Sequence, residues 1–343
     1  MRILAVGDSY MPPRYFEEVF AGLGEGFEVA YAQVDAARPF APSSASERKL
    51  REYQGSPAEL VEWMPGVEVL VVQGAPVTDA VLDASSELKL VGCARGGPVN
   101  VDVEAATERG LPLVNTPGKN AEAVADLTVA FLVMLARGLP AAQRFLAEGH
   151  RLRDNWEGAR FMGSDLRRHV LGVVGYGAIG RLVVERVAPF GMAVLVYDPF
   201  VEATGVEQVD TLEELLARAD FVSLHVRASA DNVNMIDSAA LAAMKPGALL
   251  VNTARETLVD EDALDAALAS GRLAGAALDV VRTSAESGPH RLLRHHNVVL
   301  TPHLGGATHE TLLQGAEMIR DEIRRFAAGE PLLNLVNRAA VVA

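Results

Sequence analysis

A chain of 343 residues, 50 % of them hydrophobic and 22 % charged, has the length of about two domains and enough apolar surface for a large core. Its 31 Lys and Arg against 45 Asp and Glu leave a net charge of −14, which repels phosphate backbones and anionic lipid and so argues against nucleic acid or membrane as partners. The single cysteine, Cys93, excludes an intrachain disulfide and a Cys-rich zinc site; it reads as a small buried hydrophobe, and no metal is expected.

In chain order, Met1 to Gly7 meets Asp8 after only five apolar residues, too soon for a signal-peptide core, and no apolar run approaches the ~18 residues of a membrane span. A cytoplasmic protein is expected. Short apolar, β-branched runs predict buried strands at Ile3 to Val6, Val67 to Val72, Leu88 to Gly92 and Leu111 to Val114. Further strands are predicted at Val170 to Val174, Ala193 to Tyr197, Phe221 to Leu224, Ala248 to Asn252, Gly275 to Leu278 and Val298 to Leu300. Helical spacing fills most of the gaps, as in Leu212 to Ala219 and Asp260 to Ser270. Such alternation predicts an α/β fold with parallel sheets covered on both faces. Arg38 to Arg51, with its prolines and serines, reads as a mobile surface segment, and Asn120 to Arg137 as a long buried helix too apolar for one narrow stripe.

The run Val170 to Val174 is followed by Gly175-Tyr176-Gly177-Ala178-Ile179-Gly180 and then by a helical stretch. In such a loop Gly175 permits a tight turn, Gly177 lets the backbone approach a pyrophosphate, and Gly180 lets helix and strand pack closely. The diphosphate then meets the free N–H groups of the helix N-terminus. A second strand ends in Asp198, 18 positions after Gly180, close to the spacing of about 20 for the acid that accepts the ribose hydroxyls. A carboxylate there repels a 2′-phosphate, so NAD is expected rather than NADP.

Three later strand ends carry polar groups, in Val251-Asn-Thr-Ala-Arg255, Ala276-Ala-Leu-Asp279 and Leu300-Thr-Pro-His303. In this order, behind the nucleotide fingerprint, they resemble the D-isomer-specific 2-hydroxyacid dehydrogenase family, which includes D-3-phosphoglycerate dehydrogenases. The resemblance runs from about Leu88 to Val336 and takes in Asn115-Thr-Pro-Gly118, Leu258-Val-Asp260 and Leu333-Asn-Leu-Val336; the first 66 or so residues carry little of it. It implies a Rossmann nucleotide lobe, 118–304, inserted into a flavodoxin-like substrate lobe formed by 1–117 and 305–343. It also implies an active site in the cleft, hinges near Pro117 and Gly305, and a homodimer joined through the nucleotide lobe. The regulatory domain that some phosphoglycerate dehydrogenases append is not expected.

The implied chemistry is NAD-dependent interconversion of a D-2-hydroxy acid and its 2-keto acid, with a phosphoglycerate-like substrate as one case. A base must take the hydroxyl proton as hydride leaves, and histidine, which titrates near neutrality, can return it in the reverse direction; His303 is assigned that role. Arg255 offers a permanently charged planar fork for the substrate carboxylate and the adjacent carbonyl. By resemblance Asp279 holds the nicotinamide carboxamide, and His225, Thr253 and Ala254 also contact the cofactor. The resemblance also implies that Arg95, Gly96 and Gly97 form the turn that binds the small anionic substrate. Pro98 removes one donor from that turn, while Arg95 either is a surface charge or reaches the far end of the substrate.

Other departures from the family pattern are Arg227, where relatives often carry proline, and Glu256, where a glycine is common. Relatives place a glutamate five positions after the aspartate, paired with the histidine; here that position is Ser284, and Glu286 can substitute only if the loop shifts. The serine is expected to shift the activity optimum or lower the rate. Two other functions therefore compete: a hydroxypyruvate/glyoxylate-type reductase, and a catalytically weak NAD(H)-binding regulatory protein.

Overall fold

A computed structural model describes residues 1–35, 42–282 and 288–338 of the protein. Its strands form two all-parallel sheets, and the chain divides into two compact units, residues 1–119 with 308–343 and residues 120–307. The first unit contains β1 (Arg2–Gly7), β2 (Glu28–Gln33), β3 (Val69–Val72), β4 (Leu90–Cys93) and β5 (Leu113–Val114), in the order β2-β1-β3-β4-β5. Side chains alternate across this sheet. Leu4, Val6, Leu70 and Val72 pack on one face, and Ile3, Ala5, Val69 and Val71 on the other, so both faces are buried and the strands read as continuous apolar runs. The helix His309–Ala328 closes the second face with Leu312, Ala316, Ile319 and Ile323, one stripe at helical spacing.

The second unit contains β6 (Val170–Val174), β7 (Ala193–Tyr197), β8 (Glu207–Gln208), β9 (Phe221–Leu224), β10 (Ala248–Asn252), β11 (Leu273–Leu278) and β12 (Val298–Leu300). Their order, β12-β11-β10-β9-β6-β7-β8, reverses direction between β6 and β9. In an open parallel sheet, ligands bind in the crevice beyond the strand carboxyl ends at such a reversal. The predicted long helix spans Ala121–Ala136 and buries Ala125, Phe131, Leu132 and Leu135 against Val173, Val251 and the helix Ala178–Val187. Arg186 of the latter helix bonds Glu122 and Asp126 of the former.

The structure adds two strands that the apolar runs did not predict. β2 lies at an edge of the first sheet with its residues alternating between exposed and half-buried, and β8 is two exposed residues at an edge of the second. The segment predicted to be a mobile surface stretch is tied down where it is described: Tyr53 and Ser43 hydrogen-bond Glu47, Ser46 bonds Asp79, and Lys49 pairs with Asp102. Among the described residues no single helix is long and apolar enough to cross a membrane; the apolar helices Ala121–Ala136 and Leu139–Ala147 are bent by 70° at their junction, where Gly138 adopts a left-handed conformation.

Candidate active site

The carboxyl ends of six strands of the second unit collect the predicted residues. Gly175 follows β6, Asp198 follows β7, and His225 follows β9; Thr253 to Arg255 follow β10, Asp279 follows β11, and His303 lies beyond β12. The glycines are sterically required for different reasons. Gly175 has φ +97°, and a Cβ there would lie 2.9 Å from the His225 carbonyl. At Gly180 a Cβ would lie 2.1 Å from the Gly175 oxygen, so this position sets how closely helix and strand approach. At Gly177 a Cβ would meet nothing within 4 Å. The space over Gly177 is thus open, and the helix Ala178–Val187 that it begins has no side-chain cap, leaving backbone donors free for an anion.

Tyr176 contributes only its backbone to this loop. Its ring is buried in the core beneath the Arg181 guanidinium, and its N–H donates to Asp198 Oδ2 at 2.7 Å. The other oxygen of Asp198 accepts from the N–H groups of Phe200 and Val201. Ala178 is exposed and Ile179 half-buried against the core, so both can offer backbone donors at the helix start. The His225 ring bonds Ser223 Oγ through Nε2 at 2.9 Å, while its buried Nδ1 has no partner among the described residues. Burial pulls this imidazole down to about 4, so it is neutral near neutral pH.

Two buried polar side chains, Asn252 and Asp279, shape the turns that carry Arg255 and His303. Asn252 accepts from the Ala254 N–H and donates to the Arg255 carbonyl, which fixes the turn that exposes Arg255; Thr253 Oγ1 hydrogen-bonds Thr128 Oγ1 at 3.1 Å. The Arg255 guanidinium bonds only the neighbouring Ala254 carbonyl and has no ion pair among the described residues. Asp279, 2 % exposed, accepts from the Thr301 hydroxyl and from the N–H groups of Leu304 and Gly305. These bonds brace a turn in which His303 has φ +55°, uncommon for a residue with a side chain. The imidazole of His303 projects from that turn without a partner among the described residues. A carboxylate has about four acceptor sites, so Asp279 keeps one for another donor. Ser284 and Glu286 lie outside the described residues.

In the first unit, Arg95, Gly96 and Gly97 follow β4. The N–H groups of Gly96 and Gly97 find no acceptor among the described residues, and both glycines are exposed. The Arg95 guanidinium pairs with Glu52 at 2.9 Å. Beneath the turn lies a residue that the sequence did not single out: Lys119, 8 % exposed, donates to the Ala94 carbonyl at 2.7 Å. Arg227 is exposed, and among the described residues only its backbone carbonyl is engaged, by Asn232. A cavity of about 420 Å³ opens in the second unit at the amino ends of the strands, where Asp220 is already held by Lys245 and the Val170 N–H.

Residues 129–305 match the family model described as D-isomer specific 2-hydroxyacid dehydrogenase, NAD binding domain. The chain belongs to the D-isomer-specific 2-hydroxyacid dehydrogenase family. It is 39 % identical over 285 residues to a D-3-phosphoglycerate dehydrogenase of Methanocaldococcus jannaschii, a match covering 81 % of this chain and 53 % of that one. The chain therefore spans about half the length of the curated phosphoglycerate dehydrogenases it matches. It is 40 % identical to a glyoxylate reductase of Korarchaeum cryptofilum, covering 78 % of this chain and 81 % of that one. Among solved structures, the TT0316 protein from Thermus thermophilus superposes with a TM-score of 0.77 at 33 % identity, covering 98 % of this chain and all (100 %) of that one.

The cofactor of the family's nucleotide domain is NAD, and the loop fits it. Open space at Gly177, an uncapped helix N-terminus and the orphaned Nδ1 of His225 all lie along the strand ends where a dinucleotide binds in such a sheet.

Proposed function

We propose that this family member is an NAD-dependent oxidoreductase that interconverts a D-2-hydroxy acid and its 2-keto acid. The observation that carries the reading is that Arg255 and His303, both without an ion pair among the described residues, project from the same strand ends as the Gly175–Gly180 loop. Bound NAD supplies the nicotinamide ring that accepts or returns the hydride. His303 takes the hydroxyl proton during oxidation and gives it back to the carbonyl oxygen during reduction. Arg255 binds the carboxylate and polarises the carbonyl, and the turn of Gly96 and Gly97 is assigned to a substrate anion through its free N–H groups. When NAD is bound, Gly177, Ala178 and Ile179 would present backbone N–H groups to the pyrophosphate, Tyr176 would hold the loop to Asp198 through its N–H, Asp198 would select the unphosphorylated ribose, and the remaining lone pair of Asp279 would receive the carboxamide.

NADH oxidation against phosphohydroxypyruvate, hydroxypyruvate, glyoxylate and sugar-derived 2-keto acids tests the reading. Turnover of at least one is expected, and it disappears in His303→Ala. Tight NADH binding with no turnover on any of them instead marks a regulatory protein. The 81 % coverage of a glyoxylate reductase favours glyoxylate as a second substrate reading beside a phosphoglycerate-like one. Asp198→Ala is expected to narrow the preference for NAD over NADP, measured as the ratio of kcat/KM values. Ser284→Glu restores the carboxylate usual in relatives and is expected to raise the rate.

The second unit exposes Trp156 (87 %) and Met162 (82 %), with Leu139, Leu146 and Leu152 nearby in sequence. This apolar segment supports a homodimer through the nucleotide unit. Sedimentation at micromolar concentration should give twice the chain mass, and a monomer overturns it. The buried thiol of Cys93, the only cysteine, supports a cytoplasmic location, which cell fractionation tests.

A further inference from the structure

Lys119 is a buried cation that the proposed reaction does not use. Among the described residues its ammonium has one hydrogen bond, to the Ala94 carbonyl, and no carboxylate lies within ion-pair distance. Burying an ammonium with a single neutral partner is costly, and a lysine kept only for packing is better replaced by an apolar side chain of similar length. The fold nevertheless makes room for it. A Cβ at Gly315, on the helix His309–Ala328, would lie 3.0 Å from Lys119 Cδ and 3.2 Å from Nζ, so that helix carries a notch at the point where the ammonium passes.

The notch directs the charge beneath one loop. Ala94 begins the turn whose Gly96 and Gly97 N–H groups are free, and Thr116, shortly before Lys119 in the chain, donates its N–H to the Arg95 carbonyl. Thr116 also has a buried hydroxyl without a partner among the described residues. The turn is thus held from below by Lys119 and by the Thr116 backbone while its own donors face outward.

We propose that Lys119 is a positioning residue for substrate anions: its ammonium fixes the Ala94–Gly97 turn and supplies the positive field that draws a carboxylate onto the turn's free N–H groups. This rests on the reading of that turn as the carboxylate-binding element. Arg95 cannot give the same field undiminished, because Glu52 neutralises it at 2.9 Å. Burial pulls the lysine down to about 8, so its charge is present at pH 7 and largely gone at pH 9. The ionisable groups facing it are Cys93 on β4, Arg95 after β4 and Asp8 after β1; the helix His309–Ala328 presents Gly315. The Cys93 thiol, pushed up to about 12 by burial, stays protonated across that interval, and the Asp8 carboxyl is raised by burial against three backbone N–H bonds that oppose the shift.

The test is calorimetric binding of oxalate to the NADH-saturated protein at pH 7 and pH 9, in wild type and in Lys119→Met, with KM and kcat on any keto acid that turns over. Lys119→Met should bind oxalate about tenfold more weakly at pH 7. Wild type should lose about tenfold more affinity than the variant between pH 7 and 9; comparing the two profiles isolates the contribution of Lys119. Where a keto acid turns over, KM rises and kcat changes little. Equal oxalate affinity and equal pH profiles overturn the proposal, as does a wild type that binds no oxalate. If Lys119→Met does not fold, a wild-type affinity that is flat from pH 7 to 9 overturns it alone. Lys119-dependent oxalate binding without turnover leaves this proposal standing and removes the oxidoreductase reading.

Discussion

β1 and β6 each open a parallel sheet, each lead into a glycine turn, and each lie beside the strand at which the sheet reverses its order, β3 in one unit and β9 in the other. Beyond β1 the exposed donors are consumed by the chain itself: Asp8 accepts from the N–H groups of Tyr10, Met11 and Gly74, bridging the ends of β1 and β3. Beyond β6 the Asp198 carboxylate takes the Tyr176 N–H at the edge of the loop, but Gly177 faces open space and the helix that follows it has no side-chain cap. Topology provides a crevice in both units. The first residues after the strand decide whether it is plugged by an internal carboxylate or left for an outside anion.

Four substitutions break or sharpen that contrast. The largest effect is expected at Gly180→Ala, whose methyl runs into the Gly175 carbonyl at 2.1 Å; a loss of about 3 kcal/mol in chemical denaturation, with NADH binding abolished, is expected from overpacking against backbone. Next comes Asp8→Ala, which orphans three backbone donors in the plugged crevice and should cost on the order of 2–3 kcal/mol while leaving NADH affinity unchanged in fluorescence titration.

His225 sharpens the open crevice through pH. Its imidazole is held neutral, down to about 4 from the usual 6.5, so the unfolded chain binds the extra proton. Its contribution is complete above pH 6.5 and is lost as pH falls toward 4; wild type should lose about 2 kcal/mol more over that interval than His225→Gln, measured by urea melts. The smallest effect is at Gly177→Ala. With nothing within 4 Å the melting temperature should stay put, while a methyl where the pyrophosphate approaches weakens NADH about tenfold, roughly 1.4 kcal/mol. A Gly177→Ala protein that binds NADH normally would place the pyrophosphate elsewhere.

Much of this contrast is legible in the sequence, and the illegible part has a common cause. Strands buried on both faces are runs such as Val69–Val72 and Ala248–Asn252, visible without any partner, whereas the edge strand β2 mixes exposed Glu28 and Gln33 with half-buried residues and gives no run. The glycine loop is legible because each glycine meets a local steric demand within a few residues. Asp8 and Lys119 are not, since each acquires its meaning from a group 66 or 25 positions away, the Gly74 N–H and the Ala94 carbonyl. Asn252 falls between these cases: its bonds are local, but they hold the turn and do not mark it as polar chemistry. The resemblance supplied the assignments of Arg255 and His303, and only the structure shows the buried amide and carboxylate that brace their turns.

The bracing of His303 by Asp279 ties two tasks to one carboxylate. Because Thr301, Leu304 and Gly305 all donate to it, a change at position 279 made to retune the nicotinamide end would also release a backbone held at φ +55° and let the imidazole swing. On the proposed assignments, the nicotinamide contact and the proton carrier share a single mechanical anchor. An engineer seeking a new cofactor for this scaffold has more freedom at Asp198, on the far side of the sheet reversal, than at the residue nearest the chemistry.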